Sequence, residues 1–167
     1  FDHPAGTELV PAQAEPGMDY ALATVHEFSE EHPDLAGESS EFGAAIGFKI
    51  ATSVNAFVYE HWSNGKLVRG LTYDADNGWS RVVGAAEAWE AEAIFTAKEL
   101  KSRLANESSE AKAAELRALW AAGRLEAGKT VPSADPEFVL GVLQKQRILP
   151  GVALGVRDLG WRRLRAT

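Results

Sequence analysis

The stretch Tyr59–Tyr73 reads YEHWSNGKLVRGLTY, with the dipeptide Asn64–Gly65 near its centre. Both of these residues tolerate the positive φ angles of a two-residue type I′ turn, and strand-like runs flank them on each side. The sequence therefore predicts a β-hairpin. Because a two-residue loop fixes the pairing of the strands, we expect Glu60 to lie opposite Arg69.

Several polar side chains in the hairpin belong to types that could form a catalytic group, including Glu60, His61 and Arg69. Alternation along a strand places the neighbours Glu60 and His61 on opposite faces, so they cannot form one acid–base pair. In the expected register Glu60 and Arg69 form a cross-strand ion pair worth about 0.2–1 kcal/mol. The pattern favours a structural hairpin over a catalytic centre.

The segments on either side of the hairpin extend the predicted sheet. From Phe42 to Ala51 bulky and small residues alternate, which is typical of a strand with one bulky and one nearly bare face. After the turn-rich residues 74–78, the run from Gly78 to Val83 predicts another strand. We expect an antiparallel sheet of three to four strands over about 42–83, with a segment over about 151–157 as the candidate for the last strand.

Helical patterns lie mainly in the second half of the chain. Capping signals at Thr96 and at Asp135–Pro136 mark two helix starts. Apolar periodicity and these signals predict four helices, over about 19–31, 97–105, 109–124 and 136–147. Residues 85–95 are rich in Ala and Glu, which favours a helix.

Together these elements predict an α+β fold in which the helices pack mainly on one face of an antiparallel sheet. The 167 residues suffice for one domain with a core and are few for two. We therefore predict a single domain over 1–167, with residues 1–18, rich in Pro, Gly and Ala, as an extended N-terminal arm.

Composition and charge favour some classes of partner over others. The net charge of −7 is concentrated in residues 1–50, whereas residues 151–167 are basic. An acidic chain is a poor nucleic-acid binder, because affinity for phosphate depends on Lys and Arg. No apolar run is long enough to span a membrane. The absence of cysteine fits a cytoplasmic protein, although the missing initiator Met leaves export with a removed signal as an alternative.

Motifs for metals, cofactors and nucleophilic catalysis are missing from the sequence. There is no phosphate-binding loop, no dinucleotide fingerprint and no nucleophile elbow. The four histidines lack the spacing of a zinc site, and no cysteine is present to act as a thiolate ligand. We expect no catalytic motif, no metal site and no cofactor.

The hairpin and its continuation resemble a pattern found in uncharacterised bacterial domains. In that pattern a W-x-x-G-x-L-V-R-x-L hairpin is followed by a short loop, a glycine and an acidic segment that contains W-E. The resemblance covers about residues 48–95, and its matching residues are Trp62, Gly65, Leu67, Val68, Arg69, Leu71, Gly84, Trp89 and Glu90. The resemblance implies an ordered, partly extended segment over 85–95 that packs Trp89 on the sheet, as an alternative to the helix. It implies no activity, cofactor or catalytic residue.

These observations favour a non-catalytic protein-interaction or accessory module that binds an unidentified protein partner. Assembly into a homo-oligomer is also compatible with the sequence. Five tryptophans and a basic C-terminal group provide residue types that are common at interfaces. The candidate binding residues are Glu60, Trp62, Arg69, Arg162, Arg163 and Arg165. The alternative is a small enzyme whose acid–base residues are dispersed along the chain around His61, for instance Tyr59 and Glu90.

Overall fold

The computed structural model describes residues 34–149 in full, together with the backbone of residues 7–10, 22–25 and 158–165. These residues form a seven-stranded antiparallel sheet in the order β1-β2-β7-β3-β4-β5-β6. The strands are β1 (Thr7–Val10), β2 (Leu22–Val25), β3 (Ala44–Ala51), β4 (Ala56–Ser63), β5 (Lys66–Asp74), β6 (Gly78–Gly84) and β7 (Asp158–Arg165).

Five α-helices lie in the described part of the chain. They are α1 (Leu35–Phe42), α2 (Ala88–Ala93), α3 (Ala97–Asn106), α4 (Glu110–Ala122) and α5 (Pro136–Lys145). The expected capping residues are confirmed at two of them. The Thr96 side chain accepts a hydrogen bond from the Glu99 backbone N–H at the start of α3, and Asp135 caps α5 with Pro136 in the first turn.

The hairpin between β4 and β5 forms around Asn64–Gly65 as predicted, but its register changes after the first pairs. Trp62 lies opposite Leu67. The next residue of β5, Val68, has no partner of its own in β4, so that Arg69 lies opposite His61. Such a bulge moves every later side chain of its strand to the other face. The predicted pairing of Glu60 with Arg69 is therefore wrong, because Glu60 lies opposite Gly70.

The core lies on one face of the sheet, which we call the inner face. Phe48, Phe57, Tyr59 and Leu71 project from the central strands on this side and pack against buried residues of α2 and α5. Phe57 also makes an edge contact with Trp79 at a ring-centroid distance of 5.9 Å. The opposite side, the outer face, carries Ala45, Val58, Glu60 and Trp62.

The α+β class and the central antiparallel sheet are confirmed, as are the helices expected over 97–105, 109–124 and 136–147. Residues 88–93 of the ambiguous segment are helical. The helix predicted over 19–31 is wrong at 22–25, which form β2, and its remaining residues lie outside the described part. The last strand is found at Asp158–Arg165, whereas residues 151–157 are likewise outside the described part.

Helix α1 is not among the four predicted helices, because its sequence, LAGESSEF, is polar and contains few apolar residues. It begins after Asp34, ends at Phe42 and buries Leu35 and Ser39. The Ser39 hydroxyl accepts a hydrogen bond from the Gly65 backbone N–H at 2.9 Å, which attaches the helix to the hairpin turn. Tertiary contact thus explains a helix with few apolar residues.

Among the helices of the described ranges, none has the length and apolarity needed to cross a bilayer. The single domain over 1–167 and the extended arm over 1–18 stay predictions.

Candidate functional site

A buried ion pair connects strand β5 to helix α2 on the inner face. Arg69 donates from Nε to Glu90 Oε1 at 2.8 Å and from Nη2 to Glu90 Oε2 at 2.6 Å. The two side chains are only 2% and 1% exposed. Arg69 Nη1 also donates to the backbone oxygens of Val83 and Gly84. A planar guanidinium can satisfy all of these acceptors at once, whereas a lysine ammonium cannot.

Helix α2 begins with a capping box that links this ion pair to a second carboxylate. The Glu87 side chain accepts from the backbone N–H of Glu90, and Glu90 Oε1 accepts from the backbone N–H of Glu87 at 2.8 Å. Reciprocal bonds of this kind satisfy two backbone donors at the start of a helix. The first turn of α2 therefore holds Glu87 and Glu90 in one rigid arrangement above the sheet.

Glu87 is the centre of a cluster of polar side chains. Its Oε2 accepts from the Tyr59 hydroxyl at 2.6 Å and from the Trp89 indole N–H at 2.9 Å. Its Oε1 lies 2.6 Å from Nδ1 of His61. Tyr59 and His61 reach the same carboxylate because they are two residues apart in β4 and share the inner face.

The surroundings of this cluster shift the pKa values of Glu87 and Tyr59 in opposite directions. Burial acts to raise the pKa of Glu87, but the hydrogen bonds from His61, Tyr59 and Trp89 outweigh it, so the pKa lies below the ordinary value. Burial and the neighbouring Glu87 carboxylate hold the pKa of Tyr59 well above its usual range. Glu87 is thus an ionised acceptor and Tyr59 a neutral donor at neutral pH.

These protonation states assign the tautomer of His61. An ionised carboxylate can only accept, so His61 Nδ1 carries the hydrogen that points at Glu87. In the neutral imidazole the lone pair is then on Nε2, for which the described part of the chain provides no hydrogen-bond partner. The His61 side chain is 27% exposed, and the residues next to Glu87, Ala86 and Ala88, are small and exposed.

A separate arrangement lies on the outer face, around Glu60. This carboxylate is 3% exposed, and within the described residues it accepts hydrogen bonds from Trp62 Nε1 at 3.1 Å and from Arg81 Nη1 at 2.6 Å. Trp62 is half-buried, and the Arg81 side chain is 31% exposed. One buried acceptor therefore fixes an aromatic ring and a guanidinium at the protein surface.

Gly70 makes the contact between Arg81 and Glu60 possible. It lies opposite Glu60 of β4 and diagonally across from Arg81 of β6, and a Cβ atom at this position would lie 3.5 Å from Arg81 Nε and 3.1 Å from Leu67 Cδ2. The bare position lets both side chains lie across the β5 backbone. Val83, which is 37% exposed, is next to Gly70 on β6.

We call the group formed by Trp62, Leu67, Arg81 and Val83 the Trp62 surface. Of the binding residues expected from sequence, it contains Trp62 and has Glu60 beneath it. Arg69 is on the inner face and buried, so the interpretation of Arg69 as a surface residue is wrong.

The arginines of the C-terminal segment are placed only by their backbone. In β7, Arg162, Arg163 and Arg165 lie opposite Gly47, Ile46 and Ala44 of β3. This register puts the segment in the sheet beside β3, and the role of its arginines in binding stays a prediction.

Two residues that the sequence interpretation missed complete these arrangements. Arg81, on the strand that pairs with β5, takes the place that Arg69 was expected to hold beside Glu60. Glu87 is the acceptor for His61, and the signal was the three-residue spacing to Glu90 typical of a capping box. Tyr59, His61 and Glu90, named for the alternative function, are brought into one network.

An open groove lies apart from both arrangements, between α3, α4 and residues 124–131. Leu116 and Leu119 line it together with charged residues of both signs, among them Lys112 and Glu115. Within the described ranges no group of three or more metal-binding side chains is found. No protein family, curated protein or solved structure matches this chain.

Proposed function

We propose that this chain is a protein-interaction module that binds a partner protein through the Trp62 surface. The supporting observation is the shared hydrogen bonding of Trp62 and Arg81 to Glu60, which is buried beneath them. Trp and Arg are the residue types that most often dominate binding energy at interfaces. Because Glu60 already restricts both side chains, less conformational entropy is lost when a partner binds.

The surroundings of this pair are also suited to an interface. Val83 is 37% exposed, and Leu67 is half-buried beside Arg81. Apolar side chains around a central Trp and Arg exclude water from the contact when a partner covers them. The Trp62 surface has both the anchoring residues and part of the apolar rim that such a contact requires.

Affinity capture from the native lysate, followed by measurement of the dissociation constant with the purified partner, tests this function. We expect Trp62→Ala and Arg81→Ala each to weaken binding by at least about tenfold, the size of an interface hot spot. Phe138→Ala is the matched control, because Phe138 is an exposed aromatic on α5, which packs on the inner face. Equal weakening by all three variants, or by none, contradicts a binding site at the Trp62 surface.

A second candidate function is acid–base catalysis by His61, favoured by the 2.6 Å contact between its Nδ1 and Glu87. A carboxylate that fixes the tautomer and stabilises the protonated ring is what a histidine general base requires. Nε2 would take a proton from a water molecule as the water adds to an ester carbonyl, and return it to the departing alcohol.

Hydrolysis of a series of p-nitrophenyl esters tests the catalytic candidate. If His61 is a general base, His61→Ala lowers the rate by about 10²-fold or more. Glu87→Gln lowers it less, and Trp62→Ala leaves it unchanged. Hydrolysis by the wild type no faster than by His61→Ala would exclude this function for these esters and leave the interaction module.

A further inference from the structure

The Arg81 guanidinium uses only part of its hydrogen-bonding capacity in its contacts with residues 34–149. Nη1 donates to Glu60, and no other hydrogen bond to the Arg81 side chain is found in the described part of the chain. A guanidinium carries five N–H donors in a planar fork. The edge formed by Nε and Nη2 is therefore available on a side chain that is 31% exposed.

The available edge has the geometry that matches a carboxylate. Two parallel N–H groups bind the two oxygens of Asp or Glu at once, which is stronger and more directional than a bond to a single carbonyl oxygen. Glu60 holds the guanidinium through Nη1 while it lies across the bare backbone of Gly70. The fork is thus positioned before a ligand arrives, which reduces the entropy lost on binding.

The residues around this edge define what must accompany the carboxylate. Trp62 and Leu67 are half-buried on one side of Gly70, and the exposed Val83 is on the other. These side chains offer apolar contacts and no further charge. We propose that the partner presents an acidic peptide segment whose Asp or Glu pairs with the Nε–Nη2 edge of Arg81, with apolar side chains next to it that pack on Trp62 and Val83.

This inference rests on the proposed function and specifies which side chains the partner presents. Acetylated peptides with the core Leu-Glu-Phe, and matched peptides with Leu-Gln-Phe or Leu-Lys-Phe, serve as probes. Titrations follow the indole N–H resonance of Trp62 and the Nε–H resonance of Arg81. We expect the Glu peptide to bind at least about tenfold more tightly than the Gln peptide, and to weaken as salt is added.

Arg81→Lys separates the fork from the charge, because lysine keeps the positive charge and loses the planar donor pair. We expect it to remove the preference for Glu over Gln without unfolding the protein, which the amide spectrum verifies. Equal binding of the Glu and Gln peptides, or no binding of the Glu peptide, overturns the acidic partner. If binding of the captured partner still depends on Trp62, the proposed interaction module stands, but its partner is not acidic. If neither Trp62→Ala nor Arg81→Ala affects the captured partner, both proposals fail.

Discussion

Arg69 and Glu90 are 21 residues apart in sequence and form two hydrogen bonds, at 2.8 and 2.6 Å, inside the protein. The pair joins the strand next to the sheet edge to the first turn of α2. Both side chains are almost fully buried, so water cannot solvate either charge in place of its partner. The stability of this part of the fold therefore depends on both groups being present.

Removal of one charge of this pair is expected to destabilise the protein strongly. Glu90→Gln leaves the Arg69 charge buried without a counterion, and we expect a loss of about 3–5 kcal/mol in the free energy of unfolding. Urea denaturation followed by tryptophan fluorescence measures it. Glu110→Gln is the control, since the ion pair of Glu110 with Arg117 is exposed and worth at most about 1 kcal/mol.

The double variant Arg69→Met plus Glu90→Met distinguishes an unpaired charge from lost packing. Because it removes both charges together, the double variant should be more stable than Arg69→Met alone or Glu90→Met alone. A double variant less stable than both single variants would show that the contacts of Arg69 with the backbone oxygens of Val83 and Gly84 dominate.

The Tyr59 hydroxyl is expected to contribute to stability through its bond to Glu87. Tyr59→Phe leaves one hydrogen bond of a partly buried carboxylate unmade, which should cost about 1–3 kcal/mol. Tyr73→Phe is the matched control, because Tyr73 is also a buried tyrosine in the same core and its hydroxyl makes no hydrogen bond in the described part. Thermal unfolding of the two variants compares them, and equal losses would contradict the special role of Tyr59.

Acidification is expected to destabilise the fold through Glu87. Its pKa in the folded protein lies below the ordinary value of 4.5, so its contribution to stability is present above that value and is lost as the pH falls through the folded pKa. Unfolding free energies measured at several pH values between about 5 and 3 should fall less steeply for Glu87→Gln than for the wild type. Parallel curves for the two proteins would refute this assignment.

Gly84 is expected to tolerate no side chain. Its φ is +80°, and a Cβ atom would lie 1.8 Å from the carbonyl oxygen of Val68. Gly123 also has a positive φ, of +58°, but is surrounded by open space. Gly123→Ala should cost about 1–2 kcal/mol from backbone strain alone. Gly84→Ala adds an overpacking cost of about 1–3 kcal/mol, and calorimetric unfolding that ranks the two variants in the reverse order would contradict this explanation.

Much of the secondary structure follows from local signals in the sequence. Asn64–Gly65 predicted the hairpin turn, and Asp135–Pro136 predicted the start of α5, because each signal depends only on the backbone geometry of neighbouring residues. The failure over 19–31 has the same origin. Apolar spacing in that segment suited a helix, but residues 22–25 pair with β1 and β7, and such distant pairing leaves no local mark.

The candidate site was predicted only in part because one additional residue in β5 changes its geometry. Tyr59, His61 and Glu60 were assigned correctly to alternate faces, since alternation within β4 is uninterrupted. The bulge at Val68 could not be predicted from the hairpin sequence. It is compatible with long-range contacts, namely the ion pair of Arg69 with Glu90 and the approach of Gly84 to Val68, that join segments distant in sequence.

The additional residue at Val68 also determines which of two arginines the protein displays. With it, Arg69 is turned inward and buried, whereas the Arg81 side chain is exposed to solvent. If Val68 instead paired with His61 in a regular ladder, Arg69 would lie opposite Glu60 on the outer face, and Glu90 would be left inside without a cation. The bulge at Val68, rather than the chemistry of either arginine, therefore determines which of the two is at the surface.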